Sequence, residues 1–259
     1  MPNDFSVPSR RFTVRTSDGV RIAGTRLSGG GVPDVAGDPA VVLAHGLMGW
    51  HRKPRFARFG ERLASCFAVY AFDFRGHASS DGVCDYGGRE IYDVEAVVAK
   101  AREDGHARVV TMGISMGGIA VLRHAGLIGG IDAVVSISSL AYWDWHGGAR
   151  PRAARAMRAR TATVPGRTML RAWGVRLPET WETPPSPEEV VGRIAPVPLV
   201  IVHGRNDHMF GVDHAMRLYE AAREPKRLLL GSRFGHAEDG LTRAFADRIG
   251  HVVGEVLAA

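Results

Sequence analysis

Lysine is scarce in this 259-residue chain: Lys53, Lys100 and Lys226 stand among 33 basic residues, and all the others are arginine. With 27 acids the formal net charge is +6. The arginines run from Arg10 to Arg248 among the acids, with one local enrichment between Arg150 and Arg176, rather than collecting mainly on a tail or a single face, which argues against a nucleic-acid-binding protein. Cysteine is almost absent. Cys66 and Cys84 are too few for a disulfide framework and match no metal-ligand spacing, so a reducing compartment fits best. Nowhere do eighteen apolar residues occur together, and the polar stretch Met1 to Arg11 lacks the apolar run of a signal peptide. The expectation is a cytoplasmic, soluble protein with neither membrane nor nucleic acid as partner. Internal repeats and low-complexity tracts are missing too, which leaves out solenoids and disordered linkers.

What is present is the composition of one globular domain. Hydrophobic residues make up 45% and charged residues 23%, enough for a full core, and the length sits near the upper limit for a single one. Two extended segments, Arg11 to Thr16 and Val20 to Leu27, flank Ser17-Asp18-Gly19 and read as a hairpin. Six short apolar runs follow: Ala40 to Ala44, Ala68 to Phe72, Arg108 to Met112, Ala133 to Ile137, Pro198 to Val202 and Arg227 to Leu230. Runs apolar on both sides are what parallel strands covered by helices on both faces look like. Amphipathic stretches of helical length lie between them: Arg55 to Ala64, Gly88 to Glu103, Met116 to Leu127, Val212 to Ala222 and Leu241 to Leu257. The alternation predicts a doubly wound, mostly parallel α/β sheet. Residues 1–141 and 188–259 read as its core. Tyr142 to Pro187 breaks the rhythm with prolines, four tryptophans and an arginine-rich stretch, and reads as an insert between two strands.

One run ends in Gly113-Ile114-Ser115-Met116-Gly117, directly before a helical pattern. A strand-to-helix turn this tight strains the serine backbone and needs small residues two places before and after it. It would lift the Ser115 hydroxyl above the C-terminal edge of the sheet and aim the Met116 N–H at a developing oxyanion. The loop Ala44-His45-Gly46-Leu47-Met48-Gly49 leaves another strand at that edge, which makes Leu47 N–H the second donor and gives His45 a bracing role. A serine hydroxyl is a poor nucleophile until a base takes its proton. His236, in the Gly-flanked loop after the last strand, is the candidate base, and Asp207, in the loop after Pro198 to Val202, the candidate acid. Asp213 reads instead as a first-turn acid of the next helix. His203, His208 and His214 read as strand-end, loop and helix-surface residues.

These motifs, in the order Ser115, Asp207, His236, resemble the α/β-hydrolase superfamily from Arg11 to Leu257. Asp73-Phe74-Arg75-Gly76-His77-Ala78-Ser79-Ser80 is similar to that family's D-x-R-G-x-G-x-S loop, in which Asp73 and Arg75 would brace the loops around the site. Ala78 departs from it by replacing a glycine, and Ile114 stands where many relatives carry His. The resemblance implies that Tyr142 to Pro187 forms a small helical cap over the site. Trp143 and Trp145, which leave the sheet edge first, and Trp50, after the oxyanion loop, would then border an apolar substrate pocket; Trp173 and Trp181 would hold the cap together. It implies a serine hydrolase acting on a small-molecule ester or thioester, with no metal or organic cofactor. Amide or peptide hydrolysis, a lactone- or ring-forming reaction and a non-turnover ligand receptor are the other readings this fold offers. Arg150, Arg152, Arg155, Arg158 and Arg160 give the insert a basic stripe that reads as a solvated helix face, with the steering of an anionic substrate, an acyl-CoA or a free carboxylate, as the other reading. The pattern does not specify an oligomeric state.

Overall fold

A computed structural model of the chain describes residues 5–28, 39–143, 151–232 and 234–258. Asp18 and Gly19 turn β1 (Ser9–Arg15) back onto β2 (Arg21–Leu27) as an antiparallel hairpin. The six apolar runs become β3 (Ala40–Ala44), β4 (Ala68–Phe72), β5 (Val109–Ile114), β6 (Ala133–Ile137), β7 (Leu199–Gly204) and β8 (Lys226–Gly231). They pair in parallel, and the whole sheet has the order β1-β2-β4-β3-β5-β6-β7-β8. β2 also meets β4 antiparallel, so the hairpin closes one edge of an otherwise parallel sheet.

Alternation along each strand divides the core in two. Val41 and Leu43 pack with Phe56, Phe59 and Leu63 of α1 (Pro54–Leu63) and with Ile249, Val253 and Val256 of α8 (Arg243–Ala258). Ala40, Val42 and Ala44 point the other way, toward α2 (Glu90–Glu103), α3 (Met116–Leu127), α6 (Pro187–Val191) and α7 (Val212–Ala221). Both faces of the central strands are therefore covered, which is why their sequences carry no polar alternation. Parallel crossovers bring the C-terminal ends of β3, β5, β6 and β7 to one edge, where the loops of an open α/β sheet converge.

Two further helices, α4 (Pro151–Ala162) and α5 (Val164–Ala172), lie between β6 and β7. Thr163 caps α5 by accepting the Gly166 N–H. Beyond α5 the chain is tied to the loop after β4: Arg176 N–H donates to Gly76 carbonyl at 2.7 Å, Ala78 N–H to Gly174 carbonyl and Cys84 N–H to Arg176 carbonyl. Ala78 takes φ 36°, a left-handed conformation that glycine adopts more easily, so its departure from the loop motif is carried as local backbone strain. Among the described residues no helix is long and apolar enough to cross a membrane.

Candidate active site

Ser115 sits between β5 and α3 with φ 53° and ψ −116°, a strained conformation for a residue with a side chain. The two flanking glycines explain how the turn survives. A Cβ at Gly113 would run into the Gly117 carbonyl, and one at Gly117 would press on the carbonyls of Ala44 and His45. The Ser115 N–H is held by the Ile137 carbonyl of β6 at 2.8 Å, which fixes the turn against the neighbouring strand.

Three side chains that the sequence keeps far apart meet here. Ser115 Oγ lies 3.1 Å from His236 Nε2. His236 Nδ1 lies 2.9 Å from Asp207 Oδ2 and 3.0 Å from Oδ1. Asp207 is buried, and Oδ1 also accepts the N–H groups of Met209 and Phe210 at 2.8 and 2.9 Å. Burial by itself would raise its pKa, but the imidazole and these two donors outweigh it and hold the carboxyl below its ordinary value. His236 is positioned from both sides. The Ala237 N–H donates to Ser138 Oγ at 3.1 Å, and Phe210 stands edge-on to the imidazole with ring centres 4.9 Å apart. A hydroxyl bonded to an imidazole that is itself braced by a carboxylate can pass its proton to the ring as its oxygen attacks carbon.

The loop after β3 comes close: a Cβ on Gly46 would lie 3.3 Å from Ser115 Cβ. Its geometry rests on two histidines. His45 is fully buried, donates from Nδ1 to the Gly46 carbonyl at 2.8 Å and accepts the Phe74 N–H at Nε2. Burial pushes its pKa down to about 3, so it stays neutral and braces the loop. His77 reaches the Leu47 carbonyl from Nε2 at 2.7 Å and the Arg75 carbonyl from Nδ1 at 3.0 Å. Among the described residues the N–H groups of Leu47 and Met116 have no acceptor. Asp73 binds the ring and the N–H of His51, and Arg75 bridges Asp18 and Asp93; both brace loops and neither lines the cleft.

Ser115 opens into a cleft of about 470 Å³ with mostly apolar walls. Leu47, Met116, Trp143, Trp181, Tyr86 and Phe210 line it, with Met157, Arg158 and Thr161 of α4 on the far side. Both indole N–H groups are taken by backbone carbonyls, Trp143 by Pro184 and Trp181 by Asp85, so the rings offer the cleft apolar surface. The site expectations need three corrections. Trp50 does not line the cleft; it lies under the Lys53 ammonium, 5.9 Å from the ring centre. Trp181 does line it, because the insert folds back and brings its later part beside Tyr86. His214 is buried rather than on the helix surface: α7 turns it inward, where Nδ1 accepts the Ala141 N–H and the ring stacks on Tyr142. Trp145 lies outside the described residues. Asp213 is in the first turn of α7 and accepts the Tyr142 hydroxyl, away from His236. Tyr86 and Phe210 carried no sequence signal of their own, although Phe210 stands only three residues beyond Asp207.

The model of the Alpha/beta hydrolase family matches residues 41–257. Uncharacterized protein YfhR of Escherichia coli O157:H7 is 30% identical over 269 residues, covering 98% of this chain and 80% of that protein. Among solved structures, the Pyrococcus furiosus esterase Pf2001 superposes with a TM-score of 0.75 at 22% identity, over 100% of this chain and 95% of that one. The alpha/beta hydrolase GrgF from Penicillium sp. sh18 gives 0.72 at 17% identity, over 97% and 98%. With its motifs, sheet order and matched length in agreement, the chain belongs to the alpha/beta hydrolase family.

Proposed function

We propose that this protein is a serine hydrolase that cleaves a carboxylic ester or thioester of a small molecule through an acyl-enzyme. One observation carries the reading: Ser115 Oγ, His236 and Asp207 form a continuous hydrogen-bonded chain at the floor of an apolar cleft. Ser115 Oγ attacks the acyl carbon while its proton passes to His236 Nε2. Asp207 accepts from Nδ1, keeps the imidazole in the tautomer with a free Nε2 lone pair, and stabilises the imidazolium. The N–H groups of Leu47 and Met116 receive the negative oxygen of the tetrahedral intermediate. His236 then protonates the leaving alcohol or thiol, and water, activated by the same imidazole, releases the acid. The esterase fold-likeness of Pf2001 supports an ester over an amide, and the apolar walls support a hydrophobic group beside the scissile bond.

The test is turnover of 4-nitrophenyl butyrate by the wild type and by Ser115→Ala. Alanine fits the same turn, so the fold should persist while kcat/KM falls by about 10³-fold or more. A folded variant that keeps above a tenth of wild-type turnover would remove Ser115 from the mechanism. Wild-type protein that turns over neither esters, thioesters nor aminoacyl-nitroanilides would favour the ligand-receptor reading.

A further inference from the structure

The charge of this chain is unevenly placed. Residues 145–178 contain eight arginines and no acid, so this segment carries +8 and the remainder of the chain is net −2. On α4, Arg152, Arg155 and Arg158 recur every three residues and are all exposed. Successive members lie on adjacent turns, and the three together span roughly 9 Å along the helix axis. A solvated basic helix face would normally point away from the chemistry. Here the last of the three, Arg158, lines the same cleft as Ser115 and is the one charged side chain among the described residues that line it. Among the described residues no carboxylate pairs with Arg158, whereas Arg167 and Arg176 of the same insert are occupied by backbone carbonyls. An apolar, aromatic-walled cleft with an exposed guanidinium on its lining is complementary to a molecule with an apolar body and an anionic group.

We infer that the substrate carries an anionic group, a carboxylate or a phosphate, which docks on Arg158 while its apolar part lies against Trp143 and Trp181. The inference rests on the hydrolase reading above and specifies its substrate class. A guanidinium suits either anion because its planar fork donates two parallel N–H groups to two oxygens, which a lysine ammonium cannot do. The ridge from Arg158 to Arg152 would guide the anion in and would continue the contact if the group is a longer, phosphate-bearing one.

Two matched pairs separate the sources. For an anion on the acyl side, 4-nitrophenyl hydrogen adipate is compared with 4-nitrophenyl hexanoate, equal in chain length and differing in the terminal carboxylate. For an anion on the leaving group, hexanoyl-coenzyme A is compared with the hexanoyl thioester of N-acetylcysteamine, which lacks the phosphates. The expected result is a preference of about ten-fold or more in kcat/KM for the anionic member of one pair. That preference should collapse toward parity in Arg158→Gln, survive in part in Arg158→Lys, and shrink with added salt. In the coenzyme A pair, Arg152→Gln and Arg155→Gln should reduce it as well. Equal rates within both pairs, or a preference that Arg158→Gln leaves intact, would overturn the inference. A preference seen only when the ester is presented in phosphatidylglycerol vesicles would assign the ridge to a lipid surface and overturn it too. Failure here stays separate from failure of the hydrolase reading, because Ser115-dependent turnover of the neutral esters tests the latter alone.

Discussion

Replacing Asp207 by asparagine should leave the shape of the site in place and reverse one hydrogen bond. Oδ1 accepts two backbone N–H groups, from Met209 and Phe210, and Oδ2 faces His236 Nδ1 at 2.9 Å. An amide must keep its oxygen toward the two backbone donors, since turning its NH2 there would set donors against donors. The NH2 therefore takes the Oδ2 place 2.9 Å from His236 Nδ1 and donates to it; the amide oxygen in the Oδ1 place, 3.0 Å from the same nitrogen, is already shared by two backbone donors, so Nδ1 presents a lone pair. The ring proton moves to Nε2, 3.1 Å from Ser115 Oγ, and the group that should accept the serine proton donates instead. The wrong tautomer costs about 10⁴-fold in kcat, which is about 5 kcal/mol of transition-state stabilisation. Stability should change little, because every backbone partner is retained. The assay is kcat/KM on 4-nitrophenyl butyrate alongside the melting temperature, with Asp213→Asn as the control carboxylate. Asp213→Asn gives up only the Tyr142 hydroxyl contact and should stay within a few-fold of wild type. An Asp207→Asn protein that melts normally and retains a tenth of wild-type activity would refute the reasoning, as would Asp213→Asn proving the more damaging change.

Acidification should destabilise the fold: burial holds His45 at about 3 and His124 and His214 at about 4, so below the ordinary value of 6.5 the unfolded chain binds protons that the folded one refuses. Each contributes roughly 1.4 kcal/mol per pH unit. His77 and His203, also lowered by burial, act in the same direction, and Asp93 and Glu90, raised by burial, act against it. Three histidines less the one opposing carboxyl of Asp93 leave a net loss on the order of 3 kcal/mol per pH unit between pH 6 and 5, read from urea unfolding; an unchanged midpoint between pH 7 and 5 would contradict it. Trp181→Ala should widen the cleft and move acyl preference toward bulkier groups, at well below the roughly 3–5 kcal/mol of a fully buried aromatic, while Trp50→Ala leaves the ranking alone. The opposite pattern in a panel of 4-nitrophenyl esters would return Trp50 to the pocket. Gly46→Ala puts a methyl 3.3 Å from Ser115 Cβ, so either Ser115 or the loop that carries Leu47 gives way by a few tenths of an ångström. It should lower kcat about ten-fold with little change in melting temperature, since small misplacements at a reacting centre cost rate more than stability; an unaltered kcat would show that the loop does not serve the oxyanion.

The sheet was legible because its signals are local. Runs such as Val41-Val42-Leu43 have no polar face to hide, and that alone requires helices on both sides of the strand. The tight turn at Ser115 was legible for a steric reason: Gly113 and Gly117 stand where any Cβ would strike backbone, so the spacing announces the turn before any fold is known. Asp207 and His236 followed from their place in loops at strand ends, because parallel topology sends all such loops to one edge. The walls of the cleft were not legible in this way. Trp181 joins Tyr86 and Trp143 through a backtracking of the insert that no periodicity encodes, and Trp50, next to the loop after β3 in sequence, turns away from it to Lys53. His214 follows an acid, Asp213, at the start of α7 and reads as a surface residue, yet packing on Tyr142 and Phe210 turns it inward. Arg158 shows the same limit: sequence placed it in a basic stripe, and only the docking of α4 beside Ser115 puts one member of that stripe into the cleft. Backbone sterics and the succession of strands and helices are consequences of near neighbours in the chain, whereas which side chains border a cavity depends on contacts between segments that only the assembled fold brings together.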